Sequence, residues 1–269
     1  NYKSRLDSFS TDKIANFDFL NKNLKYSLRY YQEKALYILQ YFMGLPPDDY
    51  FKQKITEKLD DHEITFYSFE MATWAGKSLL MGANILYLFK KGYRDFLIIT
   101  PSTPIYEKTI RNFTIDDKRS VFNIDTPLKF NLVTGDSYKD KTCAYDDNAD
   151  MSIFVFNIHK FFERSSGKQD ESKGVSYTHR PLEESYWKDE QNNTIPFVDF
   201  LRKKELVIIT DEAHHYQNTK SAEVVKELLP DMVLEYTATA LELESEKKQQ
   251  KVIYKYAIKE LIKENMQKR

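Results

Sequence analysis

The sequence predicts an α/β protein built on a largely parallel sheet, and three observations carry that prediction. Near-continuous apolar runs, the pattern of strands covered on both faces, recur at Ile64–Phe69, Phe96–Thr100, Ile153–Phe156, Leu206–Thr210 and Met232–Tyr236. Segments with apolar residues at three- and four-residue steps lie between several of them, the alternation of a sheet wound with helices. The ends of the runs also carry the chemistry: Gly76-Lys77-Ser78 comes shortly after the first, and Asp211-Glu212 closes the fourth.

With 269 residues the chain has room for one large domain or two small ones. Its 40 basic and 41 acidic residues leave a net charge of -1, so no overall field draws it to polyanions and nucleic acid would have to meet a local face. Cys143 is the single cysteine, which excludes an internal disulfide framework and fits a reducing compartment. No stretch of about 18 apolar residues and no leader pattern is present, so the expectation is a cytoplasmic chain with no membrane partner. The sequence opens on Asn1 and stops within a helical pattern at Arg269, as a piece of a longer protein would.

In chain order, residues 1–27 read as a polar N-terminal extension with at most a short helix. Leu28, Tyr31, Ala35, Leu39 and Phe42 mark a core-facing helix that ends near Gly44-Leu45-Pro46-Pro47. Residues 46–62 are charged and read as a surface insertion. The strand at Ile64–Phe69 leads into Met71–Ser78 and then a helix to about Lys91, with Gly92 as its C-cap. After the strand Phe96–Thr100, Pro101-Ser102-Thr103 opens a helix to about Phe113. Leu128–Val133 alternates as a strand and closes on Thr134-Gly135. Residues 164–195 are poor in aliphatics and read as a loop insertion. A helix around 219–229 precedes the strand Met232–Tyr236. The charged run Glu242–Lys251 reads as a linker, and Val252–Tyr256 as the start of a further unit.

A strand, a tight loop and Gly-Lys-Ser opening a helix form the arrangement that cradles nucleotide phosphates. Backbone N–H groups make an anion nest, Lys77 reaches the terminal phosphates and the Ser78 hydroxyl suits magnesium. Asp211 and Glu212, at a second strand end, could hold that cation and polarise an attacking water; adjacent helix-capping carboxylates are the plainer alternative. His214 and His215 lack the i, i+4 spacing of zinc hydrolases. A glutamine amide such as that of Gln32 can pair with the edge of adenine, although a surface helix glutamine is the commoner case. Pro101–Thr103 and Thr134-Gly135 could give hydroxyls and backbone N–H groups to a nucleic-acid backbone, and equally could be ordinary caps and turns. In an open parallel sheet these strand ends face one crevice, at which ligands bind.

Together Leu28–Gln32, Met71–Ser78, Thr100–Thr103, Phe154–Lys160, Asp211–His214 and Thr237–Thr239 resemble the ordered motifs of superfamily 2 helicases and translocases. The sequence is most similar to the restriction (Res) subunits of type III restriction-modification enzymes, over roughly Leu28 to Ala240. That resemblance implies one RecA-like P-loop NTPase domain with helices on both faces of the sheet, binding ATP and Mg2+. It implies that Gln32 contacts adenine, that Thr73, Trp74, Ala75, Gly76, Lys77 and Ser78 hold the phosphates, and that Ser78 and Asp211 hold the metal. Lys77, Asp211 and Glu212 would drive hydrolysis. Pro101, Ser102, Thr103, Thr134, Gly135 and Asn157 would touch a DNA backbone, while His214, Thr237 and Thr239 would couple nucleotide state to DNA. The implied partners are double-stranded DNA, a methyltransferase (modification) subunit, and a second RecA-like domain and a nuclease domain in the same longer chain. Another superfamily 2 helicase or repair translocase, or a non-catalytic nucleotide- or DNA-binding module, remains as an alternative. Two positions depart from the family. Trp74 stands where glycine is usual, with an expected backbone strain of about 1–3 kcal/mol or crowding of the nucleotide; Ala240 stands where proline commonly follows Thr-Ala-Thr.

Overall fold

The computed structural model describes residues 17–139, 148–161, 186–188, 191–216, 219–238 and 251–257. Among these, helices α1 (Phe17–Asn23) and α2 (Tyr30–Met43) precede α3 (Tyr50–Ile55) and strands β1 (Thr56–Leu59) and β2 (His62–Met71). There follow α4 (Lys77–Lys91), β3 (Asp95–Thr100), α5 (Thr103–Phe113), β4 (Phe130–Thr134), β5 (Met151–Asn157), β6 (Tyr186–Lys188) and β7 (Thr194–Pro196). Helix α6 (Phe197–Arg202), β8 (Leu206–Asp211), α7 (Thr219–Glu227), β9 (Met232–Thr237) and β10 (Val252–Tyr256) complete the order.

Eight strands form one sheet in the order β1-β2-β9-β8-β3-β5-β4, with β10 also paired to β2. All its neighbours run parallel except β1, which turns back on β2. The predicted mixed fold with a mainly parallel sheet is therefore present. The central strands have no polar face because both faces are covered: Phe96 and Ile98 pack into one apolar layer with α4 and α2, and Leu97 and Ile99 into the other with α6 and α7.

Three segments differ from the sequence expectation. The charged stretch expected as a surface insertion at 46–62 instead builds α3 and the edge strand β1. Asp49 caps α3 by accepting from the Phe51 N–H at 2.8 Å, Ile55 is buried, and Asp60 turns the chain at φ 53°. Lys58 and Glu57 on β1 suit an edge that must not pair with another chain. Within the expected loop 164–195, β6 and β7 form a hairpin whose Trp187 is buried and donates from Nε1 to the Tyr138 carbonyl at 2.8 Å. The rest of that loop lies outside the described residues. Val252–Tyr256, expected to open a further unit, instead extends this sheet beside β2; residues 242–250 of the linker before it are likewise outside the described residues, as are residues 1–16 of the N-terminal extension.

A buried polar contact ties the sheet to α4. Tyr236 stacks on Phe69, with ring centroids 5.0 Å apart, and its hydroxyl accepts from Asn84 Nδ2, while Asn84 Oδ1 has no hydrogen-bond partner. Burial raises the Tyr236 phenol far above its ordinary range, so it stays neutral. Tyr236→Phe strands the whole Asn84 amide, and we expect a loss of about 1–3 kcal/mol in folding stability, measured by denaturant titration.

Candidate functional site

Strand β2 ends at Met71 and the chain turns at once. The Ala75 N–H donates to the Ala72 carbonyl at 3.1 Å, and both Trp74 (φ 72°) and Gly76 (φ 73°) lie in the left-handed region. Helix α4 then starts with Leu79 and Leu80 donating to the Gly76 carbonyl. Left-handed turns that lead into a helix aim backbone N–H groups at a common point, which is an anion nest. Gly76 is required twice over. Beyond its φ, a Cβ there would lie 2.7 Å from Gln32 Nε2.

Gln32 on α2 is buried under this loop. Its Oε1 accepts from the Arg29 N–H at 2.9 Å, and its Nε2 donates to the carbonyls of Ala75 (3.2 Å) and Gly76 (3.0 Å). It is thus a brace for the loop rather than a surface helix glutamine. Trp74 is 88% exposed, so no packing of its indole offsets the backbone strain of its left-handed φ. Trp74→Gly removes strain of about 1–3 kcal/mol at the cost of about 0.5–1 kcal/mol of glycine entropy. We expect a melting temperature equal to or above that of the parent, measured by thermal denaturation.

The end of β8 faces this loop. Glu212 is itself left-handed at φ 53°, and its N–H donates to Asp211 Oδ1 at 3.0 Å. Lys77 Nζ donates to Glu212 Oε1 at 2.5 Å, with only 12% of the lysine and 21% of the glutamate side chain exposed. From Glu212 the contacts continue to His214, whose Nδ1 lies 3.6 Å from Glu212 Oε2 and 3.0 Å from the hydroxyl of Thr237 at the end of β9. Burial, then the neighbouring His215, lower the His214 pKa, so its imidazole is neutral at neutral pH. Burial raises the Asp211 carboxyl above the usual carboxylate range, and the charge of Lys77 opposes that shift. Ser78 Oγ accepts from Asn112 Nδ2 on α5 at 3.1 Å.

Ser78 and Asp211 are hard oxygen donors of the kind magnesium takes. Among the described residues no group of three or more His, Cys, Asp or Glu side chains is gathered for a metal. The donor set therefore fits a cation that completes its shell with phosphate oxygens and water.

The remaining expected residues lie farther along the same edge. Ser102 is the N-cap of α5 but makes no side-chain cap bond, with Pro101 half-buried and Thr103 exposed. The Thr134 hydroxyl bonds Ser137 Oγ at 3.0 Å, and the Gly135 N–H donates to the Val155 carbonyl at 2.9 Å. Asn157 is buried, its Oδ1 accepting from the His159 N–H at 2.9 Å. Thr239 lies outside the described residues. Sequence reasoning missed a polar cluster here: Asp136 accepts from Tyr106 (2.9 Å) and from Lys160 (2.9 Å). Burial pushes the Tyr106 phenol up to about 12. These three residues share no local spacing, so only the fold brings them together. Asn112 was also missed, for the same reason; Ser137 was missed although it lies only three residues from Thr134.

The fold defines the class: a mixed α/β domain on a mostly parallel central sheet. The family model described as "Type III restriction enzyme, res subunit" matches residues 25–242, and the chain belongs to that family. It is 29% identical over 219 residues to the "Probable type III restriction-modification enzyme HindVIP Res subunit" of Haemophilus influenzae, covering 79% of this chain and 36% of that one. The chain thus spans about a third of the length of that curated relative. Among solved structures, a nuclease-deletion mutant of the Type ISP restriction-modification enzyme LlaGI, in complex with a DNA substrate mimic, is 16% identical. It covers 90% of this chain and 21% of that chain with a TM-score of 0.51. The Sulfolobus solfataricus SWI2/SNF2 ATPase core in complex with double-stranded DNA is 18% identical and covers 82% of this chain and 34% of that chain, with a TM-score of 0.43. Among the described residues no helix is long and apolar enough to cross a membrane.

Proposed function

We propose that this domain is the first motor domain of an ATP-dependent translocase on double-stranded DNA, within the restriction subunit of a type III restriction-modification enzyme. The observation that carries the reading is the contact of Lys77, in the loop after β2, with Glu212, at the end of β8. It joins the phosphate-binding and water-activating halves of one ATP site.

The chain's own residues then divide the work. Backbone N–H groups of Thr73 to Ser78 bind the phosphates, and Lys77 exchanges Glu212 for the terminal phosphate. Glu212, so released, takes a proton from the attacking water. Ser78 and Asp211 would hold Mg2+, which supplies charge neutralisation between the phosphates when bound. For Gln32 to read adenine, its Nε2 must release a loop carbonyl. The neutral His214, between Glu212 and Thr237, passes the state of the site to β9, and Thr239 would extend that path. Pro101 to Thr103, Thr134, Gly135 and Asn157 would meet the DNA backbone; since the Thr134 and Asn157 side chains are engaged within the fold, they serve by shaping the turns there. The whole protein would act in the cytoplasm with a modification methyltransferase subunit, a second RecA-like domain and a nuclease domain.

ATP turnover in such motors needs positive charge from the facing domain at the transition state. The chain of 269 residues should therefore bind ATP and duplex DNA yet hydrolyse ATP slowly or not at all. Equilibrium binding of each, with ATPase rates measured with and without DNA, tests this. Failure to bind ATP overturns the reading; brisk DNA-stimulated turnover overturns the requirement for a second domain.

A further inference from the structure

Strand β10 contacts the start of the loop directly and its end through Tyr31 and Gln32. The Ala72 N–H, where the loop begins, donates to the Tyr256 carbonyl at 2.9 Å. The Tyr256 ring stacks on Tyr31, with centroids 4.1 Å apart and planes 13° from parallel, and the Tyr254 hydroxyl donates to the Tyr31 carbonyl at 2.9 Å. Tyr31 precedes Gln32, whose Nε2 holds Ala75 and Gly76, where the loop ends. The contacts therefore close a ring: the start of the loop to β10, β10 to Tyr31, Tyr31 to Gln32, and Gln32 to the end of the loop. Tyr31, Tyr254 and Tyr256 are all buried, so this geometry is enforced by packing as well as by hydrogen bonds.

We propose that Tyr254 and Tyr256 are positioning residues of the phosphate loop. Through Tyr31 and Gln32 they fix the distance between the loop's two ends and hold the anion nest open before a nucleotide arrives. The stacked ring and the tyrosine hydroxyl act on Gln32 from behind, and neither touches the nucleotide. The strained Trp74 lies between the braced ends. A loop of that kind keeps its shape only when its surroundings over-determine it, and the tyrosine ring supplies that determination.

This inference rests on the ATP-site reading, so the test carries Lys77→Ala as a control. Affinities for ATP and for inorganic tripolyphosphate are measured on the parent chain, Lys77→Ala, Tyr254→Phe, Tyr256→Leu and Tyr256→Phe, with melting temperatures of the unliganded proteins. Loss of one neutral hydrogen bond or of one ring stack corresponds to about a 3- to 10-fold weakening. We expect that weakening for both ligands in Tyr254→Phe and Tyr256→Leu, even for variants whose melting temperature is unchanged. Tyr256→Phe, which keeps the ring, should recover most of the affinity lost in Tyr256→Leu. If Lys77→Ala binds ATP as the parent does, the ATP-site reading falls and this inference with it. If Lys77→Ala loses binding while the tyrosine variants match the parent, the positioning role alone is overturned. A loss confined to ATP, with tripolyphosphate unaffected, also overturns it, since the tyrosines would then serve the base and not the loop.

Discussion

Lys77→Ala is expected to weaken ATP binding by about 10- to 150-fold, the loss that corresponds to one charge-assisted hydrogen bond to a phosphate. The structure makes this more than the deletion of one contact. Lys77 is almost fully covered and holds Glu212. Its removal leaves the Glu212 carboxylate without its cation in a part-buried site, 3.6 Å from His214. Glu212 raises the His214 pKa and Lys77 lowers it, so deleting the lysine must move the imidazole toward protonation. Two independent measurements follow, an ATP titration and an NMR titration of the His214 ring, and both should shift in Lys77→Ala. An unchanged ATP affinity would show that the loop does not bind phosphate, whatever its shape.

The sheet was legible in the sequence because its strands are buried on both faces and read as near-continuous apolar runs such as Phe96–Thr100. The loop was legible because Gly76 and Lys77 sit between such a run and a helix. What could not be read were features fixed by neighbours distant in sequence. Strand β1 has no apolar run, only Leu59 and the pairing with β2, so its charges looked like an insertion. Strand β10 follows a long charged stretch and finds its place only by packing on Tyr31 and β2. Gln32 resembled a surface residue until the fold set it beneath Gly76, and Tyr106, Asp136 and Lys160 come from three separate segments. The position of Trp74 was legible as a strained one; the direction of its side chain was not, since exposure depends on what else surrounds the loop.

The left-handed residues of the site form a pattern with the same cause. Trp74, Gly76 and Glu212 all have φ above 50° and all flank the space between β2 and β8. Positive φ in tryptophan and glutamate is unfavourable in isolation, so each must be held by contacts. Trp74 is held by the turn from Ala72 to Ala75, and Glu212 by its N–H bond to Asp211 and its ion pair with Lys77. The same ion pair thus restrains the two backbones that bracket the site, and a ligand that separates it would act on both at once.

That separation makes Glu212→Gln the second large-effect variant, with a sign pattern opposite to Lys77→Ala. Glutamine keeps the size and the backbone N–H bond to Asp211 but cannot accept a proton from water. Turnover should fall by about 100- to 10,000-fold, the usual contribution of a positioned general base. Binding should move the other way. A neutral side chain competes less for Lys77, which is then free for the phosphate, and removing the Glu212 charge takes away one of the influences that raise the Asp211 pKa. Asp211 then ionises more readily and holds a cation better. The variant should therefore bind ATP with magnesium at least as tightly as the parent while hydrolysing it far more slowly. Single-turnover hydrolysis with protein in excess measures the slow chemistry even where steady-state turnover is weak, and a parallel titration gives the affinity. If affinity and hydrolysis fall together, Glu212 serves as the structural partner of Lys77 and another group activates the water; if hydrolysis is unchanged, Glu212 has no part in the chemistry.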